Sequence, residues 1–183
     1  RIGGRVKNLG YLSPLGLPEC RAAIAQHMKK FGVDVSPSCI LITSGSLQAL
    51  QLISACLLPS GAAVFTEAPS YLKSLQIFPS AGMRLIGIPM DEEGLQYWKM
   101  ASYLKPNRRQ NAAILYTIPT NQNPTGRTMS ERRRQGLIQF CSENRLPIIE
   151  DGAYQELCFG KVPTPLKAFD QNGIVLYLGS ASK

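Results

Sequence analysis

Two segments of the sequence end in residues whose types could act on a ligand. "LPIIED" ends on Asp151, with Tyr154 three residues further on, and "GIVLYLGSASK" ends on Ser180, Ser182 and Lys183. A carboxylate at the end of a buried strand is costly unless a cation neutralises it. That cation could be a nearby arginine or, alternatively, the protonated nitrogen of a bound heterocycle. A lysine at a strand end could form a Schiff base, and Ser180 could contact a phosphate.

Two further polar segments follow apolar runs in the same way. "GSLQ" places Ser46, Leu47 and Gln48 at the start of a predicted helix, where backbone N–H groups and the helix dipole can hold a phosphate. An ordinary strand-to-helix turn with a serine cap is the alternative explanation. "PTNQNPTG" is a rigid polar loop or turn in which Asn123 precedes Pro124, so this peptide bond is a candidate for cis geometry. The glycine patterns of dinucleotide and P-loop nucleotide sites are absent from the sequence.

The elements that position these segments alternate between strands and helices. Helices are predicted at "PECRAAIAQHMKKFG", "SLQALQLISACLL", about Ser70 to Phe78, and "SERRRQGLIQFCSEN", the last with Ser130 as its N-cap. Strands are predicted at "CILIT", "AAVFTE", "RLIGIPM", "AAILYTI", "LPIIED" and "GIVLYLGS", whereas "GKVPTPLKAFDQNG" is interpreted as a surface connection. Apolar strands alternating with helices predict a three-layer α/β/α fold with a mostly parallel sheet. Ligands bind at the carboxyl ends of strands in such folds, which is where the polar segments lie.

Composition narrows the class of protein. The 183 residues are 44% hydrophobic and 17% charged, as in a soluble globular protein, with no signal peptide and no apolar run long enough to span a bilayer. The five scattered cysteines predict reduced thiols in the cytoplasm. The single histidine, His27, excludes a three-histidine metal site; we interpret it as a helix-surface residue and expect no metal.

The net charge of +8 raises the possibility of nucleic-acid binding. The basic residues lie in three short clusters on separate segments, "HMKKFG", "KPNRRQ" and "ERRRQ", without a stripe of basic and aromatic residues. We therefore interpret these clusters as solvated faces.

Together, the polar segments suit one small molecule, pyridoxal 5′-phosphate, which needs a Schiff-base lysine and a partner for its ring nitrogen. Asp151 would keep that nitrogen protonated, so that the ring can accept electrons released at the substrate α-carbon. Tyr154 and Asn123 could donate hydrogen bonds to the ring hydroxyl oxygen. Tyr71, in "EAPSYLK", could lay its ring against the cofactor. A Rossmann-like scaffold without catalytic function would require all of these segments to coincide by chance.

From "GYLSPLGLPECRAAI" to Lys183 the sequence resembles the class I/II aminotransferases of the fold-type I pyridoxal-phosphate enzymes, with "NPTG", "EDGAY" and "SASK" in family order. The resemblance implies that Lys183 carries the cofactor and shuttles the substrate proton. It also implies the cofactor contacts considered above, in which Asp151 pairs with the ring nitrogen and Asn123 and Tyr154 contact the ring oxygen. The remaining implied cofactor-binding residues are Ser46, Leu47 through its backbone, Gln48, Tyr71 and Ser180.

Further expectations depend on this resemblance. Tyr11 matches the tyrosine that reaches the phosphate of a neighbouring subunit, which implies a homodimer. Residues 1–183 are expected to be the N-terminal portion of the cofactor-binding large domain, ending at the Schiff-base Lys183. The small domain, the arginine that binds the substrate carboxylate and any DNA-binding domain are expected to lie outside these residues. The implied activity is amino-group transfer between an amino acid and a 2-oxo acid of unspecified side chain.

A finer resemblance leaves a second function open. "EAPSYLKSLQIFPSAGMRLIGIPMDEEGL" and "LKAFDQNGIVLYLGSASK" are similar to the aminotransferase-like domain of MocR-type regulators in the GntR family. In such a protein the same site would sense the cofactor or an amino acid. DNA would then be bound only through a separate N-terminal domain.

Overall fold

The computed structural model describes residues 11, 13–104 and 112–182. The chain forms two compact units, Arg1–Thr43 and Ser44–Lys183. Lys183 and the basic cluster "KPNRRQ" lie outside the described residues, so the predictions made for them stay predictions. Among the residues that are described, no helix is long and apolar enough to cross a membrane.

The first unit contains the predicted amphipathic helix. Helix α1 spans Pro18–Met28, with the proline in its first turn, and a 3-10 turn follows at Lys29–Phe31. Gly32 ends it at φ 79°, a left-handed conformation that glycine adopts without steric cost. The side chain of His27 is half-buried, with its ring edge-on to Phe31 at 5.4 Å between centroids. The helix and its glycine stop are therefore confirmed, but His27 is less exposed than expected.

The strand predicted for "CILIT" is wrong. Pro37–Cys39 form a 3-10 turn, and residues 40–43 take part in none of the strand pairs of the described residues. The backbone N–H of Ile42 donates instead to the carbonyl of Leu15, at 3.0 Å. β-branched residues favour an extended backbone, but a strand also needs a pairing neighbour, which the local sequence does not reveal.

Within its described residues, the second unit is built on a six-stranded sheet in the order β3-β2-β1-β4-β5-β6. All neighbouring strands are parallel except β3, which runs antiparallel to β2. The strands are β1 Ala63–Ala68, β2 Arg84–Asp91, β3 Gly94–Leu95, β4 Ala113–Thr117, β5 Ile148–Asp151 and β6 Val175–Leu178. The helices are α2 Ser46–Leu57, α3 Leu72–Ser80, α4 Glu131–Glu143 and α5 Leu166–Phe169, with a 3-10 helix at Tyr97–Tyr103. The predicted mostly parallel sheet is confirmed.

Apolar side chains pack on both faces of this sheet, because successive strand residues point to opposite sides. One cluster joins Phe65, Leu115 and Ile148 of the strands to α4 and α5. The other joins the alternate strand positions to α2 and α3, through Leu50 and Phe78. The predicted three-layer α/β/α architecture is therefore confirmed.

Helix α4 shows that the interpretation of the basic clusters was partly wrong. Ser130 is its N-cap, as predicted, and accepts a hydrogen bond from the backbone N–H of Arg133. Of the three arginines in "ERRRQ", only Arg132 is exposed, whereas Arg133 and Arg134 are buried. Both buried arginines face protein acceptors rather than water, because they share the inward face of the helix with Leu137.

Candidate functional site

The carboxyl ends of β1, β4, β5 and β6 lie side by side, because these four strands are neighbours and parallel. Four predicted site residues belong to the segments that follow these ends. Tyr71 precedes α3 after β1, Asn123 follows β4, Asp151 is the last residue of β5, and Ser180 follows β6. The sheet topology thus brings these segments to one edge, as the sequence predicted.

Asp151 is the buried carboxylate of this edge. It is 5% exposed and accepts hydrogen bonds from the Tyr116 hydroxyl at 2.7 Å and the Ala153 backbone N–H at 3.1 Å. Burial raises the pKa of Asp151, and the two hydrogen bonds lower it in part. None of the ion pairs among the described residues involves Asp151, so no described arginine neutralises it. A cationic ligand would therefore complete the site.

Asn123 and Tyr154 meet across two neighbouring loops. The Asn123 side-chain amide donates to the Tyr154 hydroxyl at 3.2 Å, and both residues are half-buried. The ring of Tyr154 packs against the same apolar cluster as α2 and α3. The peptide bond between Asn123 and Pro124 is cis, as predicted. This contact places an amide and a phenol side by side at the same edge of the sheet.

A buried network, here called the loop brace, holds these two loops together. The loop brace consists of Arg134, Thr120 and Gln155. The Arg134 guanidinium donates to the Thr120 hydroxyl at 2.9 Å, and that hydroxyl donates to the side-chain oxygen of Gln155 at 2.9 Å. Arg134 also donates to the Pro119 carbonyl at 2.7 Å. Because Gln155 follows Tyr154 directly, the loop brace ties the Tyr154 loop to the Asn123 loop.

Two more buried side chains attach the Asn123 loop to the turn that carries Tyr71. Gln122 donates to the Pro69 carbonyl at 2.9 Å. Glu67, at the end of β1, accepts hydrogen bonds from the Thr117 hydroxyl and from the backbone N–H of Ile118, the latter at 3.0 Å. Burial raises the pKa of Glu67 to about 7. Tyr71 itself is half-buried against the apolar cluster on the α2 and α3 side.

The predicted phosphate-binding residues occupy element ends. Ser46 is the first residue of α2, after Gly45 at φ 95°, and Leu47 is exposed. The Gln48 side chain folds back and accepts a hydrogen bond from the Ser44 backbone N–H at 2.5 Å. Beyond β6 the hydroxyls of Ser180 and Ser182 are 2.7 Å apart. These positions leave the N-terminus of α2 open to an anion, whereas Gln48 is occupied by its own turn.

Two predicted site residues, Tyr11 and Lys183, do not belong to the described residues of the second unit. Tyr11 is fully exposed and belongs to the first unit. Lys183 lies outside the described residues. Their roles therefore stay predictions.

Three buried residues of this region were missed by the sequence analysis. Tyr116 lies inside the apolar run "AAILYTI", where a tyrosine is expected to be an ordinary core residue. Glu67 is the last residue of the predicted strand "AAVFTE", so the argument used for Asp151 would also have identified it. Arg134 lies one helical turn before Leu137 and Ile138, so helical periodicity places it inward.

The donor set of the described residues fits pyridoxal phosphate. A buried carboxylate without a cationic partner suits a protonated ring nitrogen, and an amide with a phenol suits a ring oxygen. Backbone N–H groups in the first turn of α2, which no side chain caps in the described structure, suit a phosphate.

The fold and this edge define a three-layer α/β domain with a candidate ligand site at the carboxyl ends of its parallel strands. Residues 3–183 match the family model described as aminotransferase class I and II. The chain therefore belongs to the class I and II aminotransferase family.

Three similar proteins illustrate the range of this family. One, named as an uncharacterized HTH-type transcriptional regulator, YisV of Bacillus subtilis (strain 168), is 51% identical over 100% of this chain and 37% of its own length. Aromatic-amino-acid aminotransferase 1 of Thermococcus litoralis is 38% identical over 96% of this chain and 43% of its own. The third is a solved structure, LysN, an α-aminoadipate aminotransferase from Thermus thermophilus complexed with N-(5′-phosphopyridoxyl)-L-leucine. It has a TM-score of 0.81 and 36% identity, and covers 96% of this chain and 44% of its own. The chain thus spans less than half the length of these proteins.

Proposed function

We propose that this chain binds pyridoxal 5′-phosphate and belongs to a protein that transfers an amino group between an amino acid and a 2-oxo acid. The observation that carries the proposal is the buried Asp151 carboxylate, which has two hydrogen-bond donors but no cationic partner among the described residues. Membership of the aminotransferase family supports the same reaction. The solved relative that binds a phosphopyridoxyl compound supports the same cofactor.

In this proposal each described side chain has a simple task. Pyridoxal phosphate, when bound, supplies a ring that accepts the electrons released at the substrate α-carbon. Asp151 stays ionised and holds a proton on the ring nitrogen, which strengthens that electron withdrawal. Asn123 and Tyr154 donate hydrogen bonds to the ring oxygen, and Tyr71 packs against the ring face.

The phosphate and lysine assignments are part of the proposal. Ser46, the backbone of Leu47 and Ser180 would hold the phosphate, and Gln48 would shape the turn beside it. Lys183 would bind the cofactor covalently and move the substrate proton. Tyr11 would act from one subunit of a homodimer on the site of the other.

A second function is favoured by the 51% identity to a protein named as an HTH-type transcriptional regulator. In that case the chain is an effector domain, in which the same site senses the cofactor or an amino acid. Arg133 and Arg134 are buried, so α4 offers DNA no basic surface from these two side chains. As the resemblance to the regulators implies, DNA would be bound only through a separate N-terminal domain.

The extent of the domain and its cellular location are also part of the proposal. Residues 1–183 would form the N-terminal portion of the cofactor-binding large domain, with the small domain encoded elsewhere in the gene. All five cysteines are free, which is in keeping with a cytoplasmic protein.

The proposal is tested by titrating the complete gene product with pyridoxal phosphate and recording visible absorption. We expect the band of lysine-bound cofactor in the wild-type protein and its loss in Lys183→Ala. Asp151→Asn should weaken cofactor affinity by roughly 10-fold or more, since it removes the charge that faces the ring nitrogen. The exposed Glu143→Gln is the matched control and should leave affinity unchanged.

Adding amino acids to the loaded protein then separates the two functions. An enzyme converts one of them to a 2-oxo acid, which is measured directly, whereas an effector domain binds it without product. If the wild-type protein binds no pyridoxal phosphate, the enzyme and the cofactor-sensing effector are both refuted.

A further inference from the structure

Tyr116 is held rigidly beside Asp151. It lies on β4, is 0% exposed, and its hydroxyl is 2.7 Å from one carboxylate oxygen, Oδ2, of Asp151 on β5. Its ring packs against Phe78 of α3, with 5.6 Å between ring centroids and 58° between ring planes. The phenol is therefore fixed by core packing, and rotation away from Asp151 would cost buried contacts.

The direction of this hydrogen bond is set by protonation. Burial and the negative charge of Asp151 both raise the pKa of Tyr116, so the phenol keeps its proton and acts as the donor. An ionised Asp151 can only accept, and a donor to the ionised form favours that form. The hydrogen bonds from Tyr116 and Ala153 thus lower the pKa of Asp151, opposing the effect of burial.

The other ionisable groups near this pair come from three strands. Tyr177 on β6 senses the charge of Asp151, and its own pKa is raised mainly by burial. The charge of Glu67 on β1 contributes to the raised pKa of Tyr116, and Glu150 precedes Asp151 on β5. None of these three donates a hydrogen bond to Asp151 in the described structure. Tyr116 is therefore the side-chain donor to this carboxylate.

We propose that Tyr116 is a positioning residue that keeps Asp151 ionised and fixes its carboxylate toward the ring nitrogen of pyridoxal phosphate. Oδ2 accepts from Tyr116 and Oδ1 from the Ala153 N–H, and each oxygen retains a second acceptor position for a ligand N–H. This inference rests on the proposed function, and it adds a residue on β4 that does not itself touch the cofactor.

The test compares Tyr116→Phe with Tyr177→Phe in the complete gene product. Each variant loses one tyrosine hydroxyl near Asp151, but only Tyr116 donates to the carboxylate. The dissociation constant of pyridoxal phosphate is measured by calorimetry from pH 5 to pH 9, with the thermal midpoint as a check on folding. At each pH the dissociation constant of the variant is divided by that of the wild type, because this ratio cancels the titration of the cofactor itself.

We expect Tyr116→Phe to raise the pKa of Asp151, so that affinity falls at a higher pH than in the wild type. The fall in affinity on the acid side should move to a pH about one unit higher. Below that pH the variant should bind pyridoxal phosphate about 10-fold more weakly than the wild type. Tyr177→Phe should follow the wild-type profile. In an Asp151→Asn background, Tyr116→Phe should produce no further shift, which separates this effect from the titration of Glu67.

Two results would overturn the inference while leaving the proposed function intact. In the first, Tyr116→Phe binds pyridoxal phosphate as tightly as the wild type and its pH profile is not shifted. In the second, Tyr116→Phe shifts the pH profile equally in the Asp151→Asn background. A wild-type protein that binds no pyridoxal phosphate at any pH would overturn the proposed function and the inference together.

Discussion

Replacing Arg134 by methionine should destabilise the protein severely, whereas the same change at Arg132 should not. Both arginines lie on α4, but Arg132 is exposed and Arg134 is 1% exposed. The Arg134 guanidinium donates hydrogen bonds to three backbone carbonyls and one hydroxyl, at 2.7 to 3.2 Å. Methionine keeps much of the side-chain volume but leaves these acceptors without a donor.

The magnitude follows from the loss of a buried charged donor. A buried acceptor left without its donor costs about 1–3 kcal/mol, so losing several costs at least about 3 kcal/mol, whereas an exposed substitution changes stability by within roughly 0.5 kcal/mol. For a protein of this size or larger, the Arg134 change corresponds to a fall in Tm on the order of 10 °C. The loop brace would also be cut, so pyridoxal phosphate should bind more weakly to Arg134→Met than to Arg132→Met.

Differential scanning calorimetry of the two variants, alongside cofactor titration, measures both effects. Equal Tm values for Arg132→Met and Arg134→Met would refute the assignment of Arg134 to a buried network. Loss of stability with unchanged cofactor affinity would show that the loop brace does not position Asn123 and Tyr154.

Two further perturbations test other contacts. Burial raises the pKa of Glu67 from its ordinary 4.5 to about 7. Between these two pH values the folded state binds more protons than the unfolded state. The stability that Glu67 contributes therefore falls as the pH rises from 4.5 to about 7. Glu67→Gln cannot titrate, so its Tm relative to wild type should rise between pH 5 and pH 8; parallel curves would contradict the assignment. Gly152→Ala should cost about 1–3 kcal/mol, because its new methyl group would overlap the Tyr177 ring and hydroxyl. Gly179→Ala is the control, since its methyl would lie 3.4 Å from that ring, and equal urea midpoints for the two variants would refute the overlap.

The sheet was predictable because its strands are short apolar runs bounded by polar turns. β4, β5 and β6 fall within predicted runs, and β1 ends one residue after its run, at Ala68. Strands buried on both faces leave a near-continuous apolar signal. The apolar run at residues 40–43 gives the same signal without a pairing strand among the described residues, and nothing local distinguishes the two cases. "GKVPTPLKAFDQNG" was interpreted as a surface connection, yet Leu166 is fully buried and its N–H donates to Glu150 at 2.7 Å. A four-residue helix such as α5 is too short to show periodicity.

The site was predictable where polar residues interrupt apolar runs. Asp151 stands out at the end of "LPIIED", and Asn123 stands out in a loop that can continue neither element. Tyr116 does not stand out, because a buried tyrosine resembles its apolar neighbours until a partner for its hydroxyl is known. Arg134 was interpreted as exposed because it lies in a run of three arginines, although Leu137 and Ile138 mark the inward face of α4. The contact between Asn123 and Tyr154 depends on strand order, which no local pattern encodes.

The loop brace has a thermodynamic consequence for ligand binding. Its guanidinium, hydroxyl and amide are all buried, so the backbone that carries Asn123 and Tyr154 is ordered before a ligand arrives. Each rotamer-rich side chain that binding must immobilise costs about 0.5–1.5 kcal/mol of affinity. Here much of that entropy is lost during folding, when burial of the core can offset it. A small, polar cofactor then needs fewer contacts for a given affinity, because less of their free energy is spent on ordering these loops.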